Sequence, residues 1–282
     1  MKCLRTATIF DLKNFLQLKS APACLIAAIV LLFTTAVHAQ TNALSDAEIQ
    51  GRALAQKILE QLFEAATGSK VAATLQIHDS QGHREIPLTI FTARVAENTW
   101  PITWYLIDWT NRIEQFSFHP TTNQPNSFNY DTNITNFSHS AMSPHNVPTL
   151  YLSTTTNLIG NAAMIPFANS DFWLCDLGLE FFHWPEQKVL KKEVHRSRGC
   201  TVLESTNPNP GTNGYSRVVS WIDNETLGIV EAYAYDAKGK KLKDFYPKDF
   251  KKVDGQWQVQ TLVMENVQTK SRSVLEFDVK NR

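Results

Sequence analysis

The spacing of apolar positions changes period along the chain. Leu54, Ile58, Leu62 and Ala66 recur at four-residue steps, the spacing of one face of a helix. Ser45 followed by Glu48 is a capping-box pair, and Gly68 is a stop signal. The pattern predicts a helix over Ser45–Ala66. A single apolar stripe needs a surface to cover, so a sheet is expected beneath it.

Beyond the helix the period falls to two. "VAATLQIHD" and "EIPLTIFTARV" flank the turn "SQGH", and "TWPITWYLIDW" and "RIEQFSF" meet at "TN". In the third of these strands Ile102, Trp104 and Leu106 alternate with Tyr105, Ile107 and Trp109. Both faces are apolar, so both should be covered. Thr121–Pro148 is polar and proline-rich, a long loop with room for a short strand near "FNYDTN". His139 and His145 lie in it without a third metal ligand nearby.

The C-terminal part has strands at short, regular spacing. "QKVLKKEVHR" and "CTVLEST" pair around "SRG", and "YSRVVSWID" runs to "NETLG". "IVEAYAYD" meets "KKLKDFY" across "AKGK", "DFKKV" meets "QWQVQTLVMENV" across "DGQ", and "SRSVLEFDV" follows "QTK". Such a meander predicts a mainly β fold, either a barrel or a strongly curved antiparallel sheet. Ile229, Glu231, Tyr233 and Tyr235 should share one face, and Val230, Ala232 and Ala234 the other. Small residues on a face suit a closely packed helix or a cavity floor.

Between the halves stands "SDFWLCDLGLEFFHWPEQ", Ser170–Gln187. On a helix capped by Ser170, Trp173, Leu177, Phe181 and Trp184 fall on one face. Asp176, Glu180 and His183 fall on another, and Asp171 sits in the first turn. Gly178 weakens the helix and Pro185 ends it. The expectation is an amphipathic cover with its aromatics turned inward and its acids in water.

Charge alters the picture little. The chain carries 27 bases and 27 acids. Gln40–Pro185 holds 6 bases against 13 acids, and Glu186–Arg282 holds 17 against 13. That balance excludes the concentrated basic surface of a nucleic-acid binder. The basic half would face an anionic surface or partner, or simply neutralise the acidic half.

Met1–Ala39 has Lys2, Arg5, Lys13 and Lys19, an apolar run Cys24–Phe33 and the ending "TTAVHA". This describes an export signal cut before Gln40; an uncleaved anchor is the rival. Gln40–Arg282 is then expected to form a single domain. Cys175 and Cys200 remain, either bonded in an oxidising compartment or buried as free thiols. The G-x-S-x-G elbow, the H-E-x-x-H helix and the phosphate loop are all absent. No cofactor or metal is called for.

The C-terminal motifs resemble the LolA-like outer-membrane lipoprotein-sorting proteins. The residues carrying the resemblance are Trp221-Ile222-Asp223, Tyr235-Asp236, Gly239-Lys240, Leu242-Lys243, Val253, Gly255, Trp257, Asn266, Thr269 and Leu275-Glu276-Phe277. Ser170 and the pair Asp176-Leu177 match the short helix before these strands, so the likeness spans Ser170–Asp278. It implies an incomplete antiparallel β-barrel with helices over its open side. It further implies a monomeric periplasmic protein that holds lipoprotein acyl chains or another envelope lipid. The same fold serves envelope sensors and scaffolds that bind a protein partner; an exported hydrolase is the remaining alternative. The candidate lipid-contacting residues are Trp104, Leu106, Trp173, Leu177, Phe181, Trp184, Val219 and Trp221, with none catalytic.

Overall fold

The computed structural model describes residues 43–65, 69–94, 101–109, 112–121, 125–134, 156–253 and 255–279. The export signal, His139, His145 and the "TN" turn lie outside them. Helix α1, Asp46–Ala65, begins as its sequence predicts. The Ser45 backbone N–H donates to Glu48 Oε2 at 2.7 Å, and the Glu48 N–H donates to Ser45 Oγ at 3.3 Å. Ala55, Ile58 and Leu59 are buried and Leu54 half-buried. The stripe therefore uses three- as well as four-residue steps, as a 3.6-residue period requires. Leu62 and Ala66 fall outside the described side chains.

Thirteen strands follow among the described residues: β1 Ser69–Asp79, β2 Gly82–Ala93, β3 Ile102–Trp109, β4 Arg112–His119, β5 Ser127–Ile134, β6 Thr156–Ile159, β7 Glu186–His195, β8 Arg198–Thr206, β9 Arg217–Asp223, β10 Ile229–Tyr235, β11 Lys241–Val253, β12 Gln256–Asn266 and β13 Ser271–Phe277. They form one curved, unclosed antiparallel sheet, ordered β6-β5-β4-β3-β2-β1-β13-β12-β11-β10-β9-β8-β7. Every neighbour but one is a neighbour in sequence. The exception joins β1 to β13, with Leu75 opposite Leu275, and welds two meanders into one sheet. The edge strand β7 carries exposed Lys188, Lys191 and Lys192, which discourage edge-to-edge pairing.

One face of this sheet, called inner here, carries the main core. Leu75, Ile77, Ile86, Leu88, Tyr105, Ile107, Phe116, Phe118 and Phe128 belong to it, as do Leu203, Val218, Ile222, Met264 and Leu275. Phe91, Ala93 and Trp104 form a smaller cluster on the other face. Strand β3 is buried on both parities, as its pattern predicts. Two expectations fail. "KKLKDFY" and "DFKKV" are a single strand, β11, running through Pro247 with register shifts at Pro247–Phe250. Proline is tolerated because β10 pairs with β11 only as far as Phe245, so beyond it β11 bonds to β12 alone. And β10 bulges between Ile229 and Glu231, so its residues do not keep strict alternation.

The cover over the inner face is not a continuous helix. After a tight turn with Ala168 and Asn169 at positive φ, it has one α turn, α2 Leu174–Leu177, and one 3-10 turn, Glu180–His183. Leu179 between them is left-handed at φ 47°. Gly178 permits the break for a packing reason. A Cβ there would stand 2.7 Å from the Phe118 ring and 2.9 Å from Phe128.

Helix α1 lies against β7 and the Glu180–His183 turn. It comes so close that a Cβ on Gly51 would meet the Gln187 backbone at 2.5 Å. Gly51→Ala should therefore destabilise the protein by about 1–3 kcal/mol through overpacking, although alanine favours an isolated helix. Urea unfolding of the two proteins checks the sign.

Candidate functional site

A lysine stands on the inner face of the sheet. Lys243 on β11 points to the inner face, where it is 2 % exposed. Its cross-strand neighbour is Ala234, and Ala232 lies opposite Phe245. The small residues of β10 thus make room for two large ones on β11. Lys243 Nζ donates to the Asp171 carbonyl at 2.6 Å and to Asp176 Oδ2 at 3.4 Å. It also sits 3.6 Å from the centroid of the Trp173 ring, which stacks on Tyr215 at 4.6 Å. Burial lowers its proton affinity, and the Asp176 carboxylate opposes that effect.

The acids of the cover all turn inward, contrary to the amphipathic-helix expectation. Asp176 Oδ2 accepts from the Trp173 N–H at 2.8 Å and from the Tyr215 hydroxyl at 3.1 Å. The Asp171 carboxylate accepts from the Ser271 and Ser273 hydroxyls, and its own N–H donates to Ser273 Oγ at 2.8 Å. Glu180 is 1 % exposed and accepts from the Asn126 N–H at 3.1 Å. Burial raises its pKa to about 8 despite that bond. His183 does not meet Glu180. Its Nε2 has no hydrogen-bond partner among the described residues, and burial lowers its pKa to about 4. The helical wheel assumed an unbroken helix, and the kink at Leu179 rotates its second half. The cover is also fastened to β7 and β8. Gln187 donates to the Phe181 and Trp184 carbonyls, and Ser205 donates to Gln187.

The cysteines do not fasten it. Both are buried free thiols. Cys175 Sγ faces Asp176, and Cys200 Sγ donates to the Arg198 carbonyl at the start of β8. The short helical turn carries Cys175 beside Asp176, and of the two alternatives the sequence leaves open the pair takes the free-thiol one.

Beside the cover lies a groove of about 1020 Å³, at the top of the range of roughly 300–1,000 Å³ usual for small-ligand sites. Ile58 and Gln61 of α1 form one wall, with Phe172, Leu177 and Leu179 of the cover. The floor comes from Tyr105, Ile229, Val230, Phe245, Leu262, Leu275 and Phe277. Both Ile229 and Val230 reach it because β10 bulges between them and Glu231. Gln61 Nε2 donates to the Thr226 carbonyl at 3.0 Å and holds α1 across one end. At the other end stand Phe250, Trp257 and Val259 of β11 and β12, with Lys248. Arg196 and Arg198 also reach the groove, but their guanidinia are taken up by Glu231, and by Asp223 and Glu225.

Of the eight candidates, Leu177 alone lines this groove. Phe181 borders a small inner void with Val218, Ala232 and Lys243. Trp173 is half-buried beneath Lys243, and Trp184 is packed in the main core. Trp104 belongs to the outer cluster, and Leu106 shares its parity. Val219 and Trp221 alternate with the core residues Val218 and Ile222. Trp221 stacks on His195 at 4.6 Å and donates to Glu193, on the outer face. A two-residue period tells which residues share a face, but not which face is hollow. Tyr105, Phe245 and Leu262 were missed for that reason. Lys243 had a signal in the alanines of the strand before it.

A family model described as an uncharacterized protein matches residues 150–280. No curated protein matches the chain. Several solved structures share its architecture. A DUF1329 family protein from Desulfovibrio piger is 17 % identical with a TM-score of 0.63, covering 83 % of this chain and 92 % of its own. A putative outer membrane lipoprotein-sorting protein domain from Vibrio parahaemolyticus is 18 % identical with a TM-score of 0.61, covering 82 % and 92 %. A LolA superfamily protein from Nitrosomonas europaea is 16 % identical with a TM-score of 0.53, covering 81 % and 93 %.

Two variants test the polar anchor. Lys243→Met should cost about 3–5 kcal/mol, because it strands a buried carboxylate. Adding Asp176→Asn should return part of that loss, as urea unfolding would show. Glu180 and His183 act oppositely on pH dependence. Glu180 titrates higher in the folded state than its ordinary 4.5, so its stabilising contribution is complete below 4.5 and lost as pH rises towards 8. His183 titrates lower than its ordinary 6.5, so its contribution is complete above 6.5 and lost as pH falls through 4. From pH 6.5 to 8 only the Glu180 loss operates between the two. Relative to wild type, Glu180→Gln should gain up to about 2 kcal/mol across that interval, read from melting curves at the two pH values.

The unclosed antiparallel sheet, the helical cover over its inner face and these likenesses together give the chain the LolA-like fold.

Proposed function

We propose that this is a monomeric, exported periplasmic protein that holds acyl chains of lipoproteins, or of another envelope lipid, in the groove between α1 and β10–β13. The observation that carries this reading is the groove itself. Its floor is built of Tyr105, Phe245, Leu262, Leu275 and Phe277, yet the protein's own side chains leave about 1020 Å³ unfilled. A lipid chain has reason to enter. Each methylene taken from water gains about 0.8 kcal/mol, so a long acyl chain gains roughly 10 kcal/mol. The relatives described as a lipoprotein-sorting domain and a LolA superfamily protein support the assignment by fold. Among the described residues no helix is long and apolar enough to cross a membrane.

Hydrolysis is less well supported. His195 and the buried Glu231 are within hydrogen-bond reach, as an acid–base pair would be. They sit with Trp221 on the outer face, however, and the second Glu231 oxygen is occupied by Arg196. No serine, threonine or cysteine is bonded to the His195 ring among the described residues.

Protein purified without detergent and analysed by mass spectrometry should release acylated peptide or phospholipid. Leu262→Trp and Ile229→Trp, which fill the floor, should weaken a fluorescent fatty-acid probe by about tenfold or more. Absence of lipid together with unchanged probe binding in both variants would refute the reading. A stable protein partner recovered without lipid would favour the scaffold alternative.

A further inference from the structure

We propose that the tip of the β11–β12 hairpin docks this protein on an anionic phospholipid bilayer, with the mouth of the groove against the membrane. The proposal rests on the lipid-binding reading for what passes through the mouth, but the docking itself stands on the hairpin. Trp257 is 71 % exposed and Phe250 51 % exposed. Exposed apolar residues are ordinary when scattered singly. Here two of the largest lie on neighbouring strands. Phe250 stands opposite Val259 and Lys252 opposite Trp257, so all four share one face. Phe250, Trp257 and Val259 also line the groove. The exposed aromatics and the way into the cavity therefore coincide.

The cations of the hairpin choose the partner. Lys248, Lys251 and Lys252 are exposed. Lys252 has no carboxylate partner among the described residues. Lys251 Nζ donates to the Val279 carbonyl at 2.7 Å, a bond that leaves its charge uncancelled. Lys248 faces Asp249 at 3.7 Å, both more than half exposed. From Lys248 to Trp257 the sequence holds three lysines against Asp249 and Asp254, a net positive tip. Arg196 and Arg198 are already paired with carboxylates and are not counted. An indole joins an apolar body to a polar N–H and suits the water–hydrocarbon boundary. Lysines beside it can lay their stems along apolar surface and keep their ammonium groups among lipid phosphates. A patch built to meet a protein core would not set lysine directly opposite its tryptophan, since charged residues are depleted from interface centres.

The test is co-sedimentation with vesicles of phosphatidylcholine alone and of phosphatidylcholine with phosphatidylglycerol. Wild-type protein should bind the second and lose most of that binding in high salt. Lys252→Gln should weaken it about fivefold, the worth of one lysine at an anionic surface. Trp257→Ala should weaken it about tenfold or more. Both residues are exposed, so circular dichroism should show unchanged folding. Phosphatidylglycerol with brominated acyl chains should quench wild-type fluorescence more than that of Trp257→Phe. Lipid retained by Lys252→Gln, measured by mass spectrometry, separates the two readings: retained lipid without vesicle binding by wild type would overturn docking and leave the carrier intact. Docking would also be overturned by equal binding of wild type and Trp257→Ala. A concentration-dependent dimer abolished by Trp257→Ala, with no vesicle binding, would assign the hairpin to a second copy of the chain instead.

Discussion

The structure depends most on one buried cation. Lys243 holds the Asp171 carbonyl and the Asp176 carboxylate from within the sheet. Asp176 in turn collects the Trp173 N–H and the Tyr215 hydroxyl. A charge taken from water costs several kcal/mol unless it is paired and fully bonded. The cover must therefore sit where these donors and acceptors meet. An apolar contact would let it slide; a buried ion pair does not. The serines of β13 repeat the logic at Asp171, and the Asn126 N–H meets the buried Glu180 carboxyl.

Fixing the cover there leaves room beside it. The core beneath Phe167, Phe172 and Phe181 is closed by aromatic contacts. Among the described residues, only the edge of α1 lies over the floor of β10–β13 past Leu177 and Leu179. Gly51 brings that helix down onto β7, and Gln61 ties its far side to the Thr226 carbonyl. The groove is thus a consequence of where the two covering pieces are pinned. The bulges in β10 and β11 add to it by turning Ile229, Val230 and Lys248 towards the opening.

The sequence decided a good deal by itself. The capping box of α1, the hairpin turns and the doubly apolar pattern of β3 are local properties, set by backbone sterics and side-chain period within a few residues. They suffice for a mainly β, curved antiparallel sheet, and the strand motifs Trp221-Ile222-Asp223 and Leu275-Glu276-Phe277 suffice for its fold. Pairing of β1 with β13, by contrast, joins residues some two hundred positions apart, and no local period carries that information.

Only the tertiary structure decided which face is hollow, whether the acids of the cover are wet or buried, and whether the cysteines meet. Trp104, Leu106, Val219 and Trp221 pack away from the groove because alternation defines two faces without naming them, and Trp173, Phe181 and Trp184 do so because the cover breaks at Leu179. Asp171, Asp176 and Glu180 were placed in water because a lone segment offers a carboxylate nothing better. Once Lys243, Tyr215, Ser271, Ser273 and Asn126 surround them, burial becomes affordable through bonds between distant parts of the chain. Local chemistry fixes the elements; the satisfaction of buried polar groups, a property of the whole fold, fixes where the elements stop and what space they leave.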